Sequence, residues 1–106
     1  MLITIDIGNT NITLGVYEGE TRGPSFRVAT IHREMPDEYG MKFLSLLERA
    51  GITTSQIDGI CMASVVPPLT SKVIQACEEY LGHIPLNVDA GTKTGVRILY
   101  EDPKAV

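Results

Sequence analysis

The chain has 106 residues, 43% of them hydrophobic and 21% charged, with a formal net charge of −4. That composition suits one soluble globular domain with a modest core, or half of something larger, and carries no signature of disorder. It offers no basic cluster for nucleic acid, no apolar run near the roughly 18 residues of a membrane span, and no secretory leader.

In chain order, Leu2 to Asp6 and Asn11 to Tyr17 read as two strands, the second alternating at Ile12, Leu14 and Val16. They are expected to form a hairpin. Glu18 to Pro24, rich in charge, glycine and proline, reads as a turn, and Phe26, Val28 and Thr30 alternate as a third strand. Pro36 and Asp37 mark a helix start, after which Gly40, Phe43, Leu44 and Leu47 keep helical spacing until Gly51 stops it. Gly40 is a weak point in that first turn. Thr53 to Asp58 is a polar approach to a fourth strand, Gly59 to Val66, whose run Ile60, Cys61, Met62, Ala63 predicts burial on both faces at the sheet centre.

Pro67 and Pro68 suit the first turn of a second helix with an apolar stripe at Leu69, Val73, Cys77 and Tyr80, ended by Gly82. Pro85 to Val88 is a short fifth strand, Gly91 to Gly95 a loop, and Val96 to Tyr100 strand or extended chain. The order β-β-β-α-β-α-β predicts an α/β fold of the ribonuclease-H-like kind. Three antiparallel strands open a mixed sheet, and the alternating units extend it in parallel.

Chemistry concentrates at the first turn, Asp-Ile-Gly-Asn-Thr from Asp6 to Thr10. Asp6, leaving a buried strand, can fix a hydrated divalent cation, and Gly8 lets polyphosphate approach the main chain. Asn9 and Thr10 add polar side chains, and successive N–H groups in a tight turn form an anion-binding concavity. The same residues also suit an ordinary hairpin turn. Cys61 and Cys77, sixteen positions apart with no second pair, lack a zinc spacing and read as reduced, buried thiols. His32 and His83 are isolated and receive no role, and Glu48, Asp58, Glu78 and Glu79 read as solvated charges.

With Asp-x-Gly-x-Thr in this topology, the hairpin resembles the phosphate-1 element of the superfamily of acetate and sugar kinases, actin and heat-shock chaperone ATPases. Met1 to Asn11, then Ala63-Ser64-Val65-Val66-Pro67, Thr94-Gly95 and Tyr100-Glu101-Asp102-Pro103, taken together, resemble type III pantothenate kinase. The resemblance implies ATP-dependent phosphorylation of the primary hydroxyl of pantothenate to 4'-phosphopantothenate, in coenzyme A biosynthesis. It carries ATP contact onto Asp6, Ile7, Gly8, Asn9, Thr10, Asn11, Ile12 and Thr13, with Asp6 facing the metal and phosphates, and pantothenate contact onto Tyr100. From the residues alone Tyr100 is a half-buried strand aromatic. Ala63 stands where the family often has a second serine, and Ser64 to Pro67 read as mainly structural. Mg2+, a monovalent cation (K+ or NH4+), a homodimer and a cytoplasmic location are implied as well.

The family's Tyr-x-x-Pro segment is followed by Gly-Ala-Asp-Arg, whose aspartate is the general base. Here the sequence reaches Val106 just before it. The expectation is one N-terminal domain over residues 1–106, with the second domain, the adenosine-binding segments and the cation site elsewhere, and no kinase turnover from these residues alone. Asp6 is a poor base, because a carboxylate committed to a cation stays charged and faces the phosphates.

Two other readings compete. A ribonuclease-H-like nuclease would need several carboxylates around a metal pair, yet Ala63 and Ser64 end the fourth strand. A non-enzymatic interaction or transcriptional accessory module of the same fold is the other. A P-loop at Gly91-Thr92-Lys93-Thr94 lacks the required glycine spacing.

Overall fold

A computed structural model describes residues 1–88 of the chain. Five strands, β1 (Leu2–Ile7), β2 (Asn11–Glu18), β3 (Thr21–Ala29), β4 (Gly59–Ser64) and β5 (Leu86–Val88), form one sheet in the order β3-β2-β1-β4-β5. The β1–β2 and β2–β3 pairs are antiparallel, whereas β4 runs parallel to β1 and β5 parallel to β4. Helices α1 (Pro36–Arg49) and α2 (Pro67–Ala76) make the two crossovers. This is the predicted element order and mixed sheet.

Register assigns the two faces. Ile3 pairs with Val16 and Ile60, and Ile5 with Leu14 and Met62, so these side chains share one face. They form the core with Tyr39, Phe43 and Leu47 of α1 and Leu69, Val73 and Ala76 of α2. On the opposite face Thr4 pairs with Gly15 and Cys61, and Asp6 pairs with Thr13 and Ala63. Every apolar residue of β1 after Leu2 therefore points at the helices, and its polar ones point away from them.

Helix ends follow local chemistry. Pro36 occupies the first position of α1, and the Glu38 carboxylate accepts from the Met35 N–H at 2.7 Å. At the other end Gly51 takes φ +79°, and the N–H of Ile52 reaches the Leu47 carbonyl at 2.9 Å while that of Gly51 reaches Glu48 at 2.9 Å. That double bond pattern needs the left-handed residue that glycine supplies. After α2 the chain loosens into a wider turn, Cys77–Leu81, closed by Gly82 at φ +78°. Cys61 and Cys77 are buried free thiols, as expected. Burial raises both above the ordinary thiol range, Cys77 to about 12. Among the described residues no helix is long and apolar enough to cross a membrane.

The main differences from expectation are two boundaries and one placement. The segment read as a turn from Glu18 to Pro24 contracts to Gly19 and Glu20, with Gly19 at φ +61°, and β3 starts at Thr21. Gly23 and Pro24 lie in a bulge opposite Val16, on an edge strand where a missing N–H breaks no ladder. β4 ends at Ser64, because Ser64 Oγ bonds the Val66 backbone, at 3.1 Å to its N–H, and turns the chain. It lies between β1 and β5, so the sheet centre is β1. The segments expected at Gly91–Gly95 and Val96–Tyr100 lie outside the described residues.

Candidate functional site

β1 and β4 run parallel, and both end at the same rim of the sheet, where β1 turns into β2. Asp6, one residue before the end of β1, is exposed on the face away from the helices, between Thr13 on one side and Ala63 on the other. A cleft of about 300 Å³ runs from Asp6 and Thr13 past Gly15 towards Arg22 and Ser25. Gly15 is required where it stands, since a Cβ there would come within 2.8 Å of the Thr4 hydroxyl.

Most of the main-chain acceptors of the Ile7–Asn11 turn are engaged by the protein. The Ile7 carbonyl accepts from the Val65 N–H at 3.0 Å, and the Asn11 carbonyl from the Gly8 N–H at 2.9 Å. The Gly8 carbonyl accepts from Thr30 Oγ1 at 2.8 Å and the Thr10 carbonyl from the Thr30 N–H at 2.9 Å. Among the described residues the exposed Asn9 and Thr10 amides have no backbone acceptor. A rim whose carbonyls are tied down and whose N–H groups are open is suited to an anion.

At Gly8 a Cβ would lie 3.1 Å from the Asn11 carbonyl oxygen across the turn, a close contact that glycine avoids. Gly8 is half-buried, and Asn9, Thr10 and Asn11 are exposed at the tip. Ile7 and Ile12 are core residues, 0% and 1% exposed, so any ligand contact from them is through the main chain. Thr13 faces the cleft beside Asp6. Tyr100 lies outside the described residues. Two contributors escaped the sequence reading, Thr30 and the Val65 amide. Thr30 showed only as the last residue of a strand alternation, and nothing in the sequence links position 30 to position 8.

One carboxylate beside an amide-rich turn fits Mg2+, which binds through one or two carboxylates plus substrate phosphates and keeps several waters. Among the described residues no group of three or more His, Cys, Asp or Glu could hold a metal by itself. Ala63 next to Asp6 also removes the paired carboxylates that a two-metal nuclease requires.

The fold agrees with what the chain is similar to. Over 84% of its length it superposes on 34% of a candidate N-acetylglucosamine kinase from Porphyromonas gingivalis, with a TM-score of 0.62 at 17% identity. That likeness concerns the fold alone, which is the ribonuclease-H-like fold of actin-like ATPases. In sequence, all 106 residues align at 45% identity with a type III pantothenate kinase of Anaeromyxobacter dehalogenans and at 43% with one of Halalkalibacterium halodurans. The chain spans 42% of the length of each. The family profile described as type III pantothenate kinase matches residues 2–106, and the chain belongs to that family.

Proposed function

We propose that residues 1–106 are the phosphate-binding lobe of a kinase that transfers the γ-phosphoryl group of ATP to the primary hydroxyl of pantothenate, giving 4'-phosphopantothenate for coenzyme A synthesis. The observation that carries this reading is the Asp6–Thr13 hairpin, whose carbonyls at Ile7, Gly8, Thr10 and Asn11 are bound by the protein while the Asn9 and Thr10 amides are open. Phosphoryl transfer depends mostly on positioning and on charge stabilisation. In this lobe the turn amides would orient the phosphates, Asp6 would hold a Mg2+ ion that would neutralise their charge, and Thr13 lines the cleft beside it. Ile7, Gly8, Asn11 and Ile12 contribute backbone. Tyr100 lines the pantothenate pocket. The base that accepts the hydroxyl proton belongs to the family's Gly-Ala-Asp-Arg segment, and the monovalent cation and the subunit interface of a cytoplasmic homodimer go with the family's second half.

Coupled ADP release with pantothenate, ATP, Mg2+ and K+ tests this. A chimera in which the 106 residues replace the matching stretch of the Halalkalibacterium halodurans relative turns over, and the 106 residues alone do not, because one lobe neither orients the acceptor nor excludes water. A folded chimera that binds nucleotide yet never phosphorylates pantothenate contradicts the reading and favours an interaction module. Turnover by the 106 residues alone contradicts the assignment of the base.

A further inference from the structure

We infer that Thr30 is a positioning residue for the nucleotide, acting by fixing the peptide planes of the phosphate turn; the inference rests on the reading of that turn given above. Thr30 lies just past the end of β3, twenty-two residues from Gly8, and reaches the turn twice. Its hydroxyl donates to the Gly8 carbonyl at 2.8 Å and its N–H to the Thr10 carbonyl at 2.9 Å. No peptide bond among the described residues is cis. In a planar trans peptide the N–H points opposite to the C=O. Holding the Gly8 carbonyl therefore turns the Asn9 N–H away from Thr30, and holding the Thr10 carbonyl does the same for Asn11. The Asn9 amide, one of the two open ones, is thus aimed directly, and the Asn9–Thr10 peptide that carries the other lies between the two anchored planes. A peptide flip in this exposed turn would present a carbonyl oxygen to an anion, and the two bonds from Thr30 oppose that flip.

Thr30 suits the task because its base is rigid. The segment that follows it is clamped from both helices. Lys72 of α2 donates to the carbonyls of His32 at 3.2 Å and Glu34 at 3.0 Å, and Lys42 of α1 pairs with the Glu34 carboxylate at 2.7 Å. The Tyr39 hydroxyl donates to the Ile31 carbonyl. Threonine also has few χ1 choices, so its hydroxyl is held at one angle. The helices thus fix residues 31–34, these fix Thr30, and Thr30 fixes the turn.

The test is steady-state kinetics of a full-length kinase carrying these residues, comparing Thr30→Val, Thr30→Ser and Asp6→Asn. Valine keeps the branched shape and the backbone bond but removes the hydroxyl. Loss of one hydrogen bond predicts a rise in KM for ATP of about five- to tenfold in Thr30→Val, with KM for pantothenate unchanged and Thr30→Ser close to the parent. An unchanged KM for ATP in Thr30→Val overturns the inference. So does a Thr30→Ser variant as impaired as Thr30→Val, or a loss confined to thermal stability. If Asp6→Asn also leaves ATP saturation untouched, the reading of the turn fails with it. If Asp6→Asn disables the enzyme and Thr30→Val does not, only the role of Thr30 fails.

Discussion

Gly40 is the residue at which local and tertiary physics disagree most sharply. Helix propensity marks it as a weak point, with alanine better by about 1 kcal/mol. In the fold, however, the Tyr80 ring packs against it: a Cβ at position 40 would come within 2.2 Å of the ring, and the Tyr80 hydroxyl donates to Asp37 at 3.0 Å beside the same contact. Gly40→Ala is therefore expected to destabilise the chain by about 1–2 kcal/mol in urea, the overpacking outweighing the propensity gain. In a Tyr80→Ala background the same substitution should stabilise. A Gly40→Ala protein more stable than its parent in the wild-type background would show that the ring moves aside freely. The sequence could not disclose this, because it requires knowing that position 80 faces position 40. Asp6 is the opposite case, since an acid ending an apolar alternation is visible without the fold, and so is the glycine two residues on. The close approach of Gly8 to the Asn11 carbonyl, by contrast, shows only in the fold.

At the level of elements, what was legible depended on whether the deciding interaction was local. The ends of α1 were, because Pro36 and Gly51 act within one turn of themselves. β1 and β2 were, because their alternation is unbroken. β3 was not: Gly23 and Pro24 are ordinarily turn residues, and only the edge position and the bulge opposite Val16 admit them to a strand. The end of β4 depended on a Ser64 side chain bonding the backbone two residues on. The helical stripe of α2 was correctly read through Cys77, and this has a consequence for alkaline stability. An unfolded thiol ionises near 9, whereas Cys77 in the core keeps its proton to about 12. Between those values the native state binds more protons than the unfolded one, so stability present below pH 9 is lost as pH rises towards 12. Melting temperature should fall from pH 8 to 11 and fall less steeply in Cys77→Ala. Parallel slopes for the two proteins would mean that Cys77 titrates normally in the fold.

As a whole molecule, residues 1–88 form a sheet with a dry face under both helices and a polar face with Asp6 at its rim. The sheet order β3-β2-β1-β4-β5 brings that turn, the end of β4 and the start of the β3–α1 connection together. The chain spans 42% of the length of the relatives it matches. The topology was legible in the order of elements, and the turn in its residues; the convergence of Thr30 and Val65 on the turn was not, because it arises from the sheet closing around positions distant in sequence. The claim on which everything else depends is that the turn holds the phosphates of ATP. A crystal structure of a full-length kinase carrying these residues, with Mg2+ and a non-hydrolysable ATP analogue, tests it most directly. The predicted result is phosphate oxygens about 3 Å from the Asn9 and Thr10 amides, with the Asp6 carboxylate facing the hydrated metal. Nucleotide bound elsewhere, with those amides untouched, would contradict it.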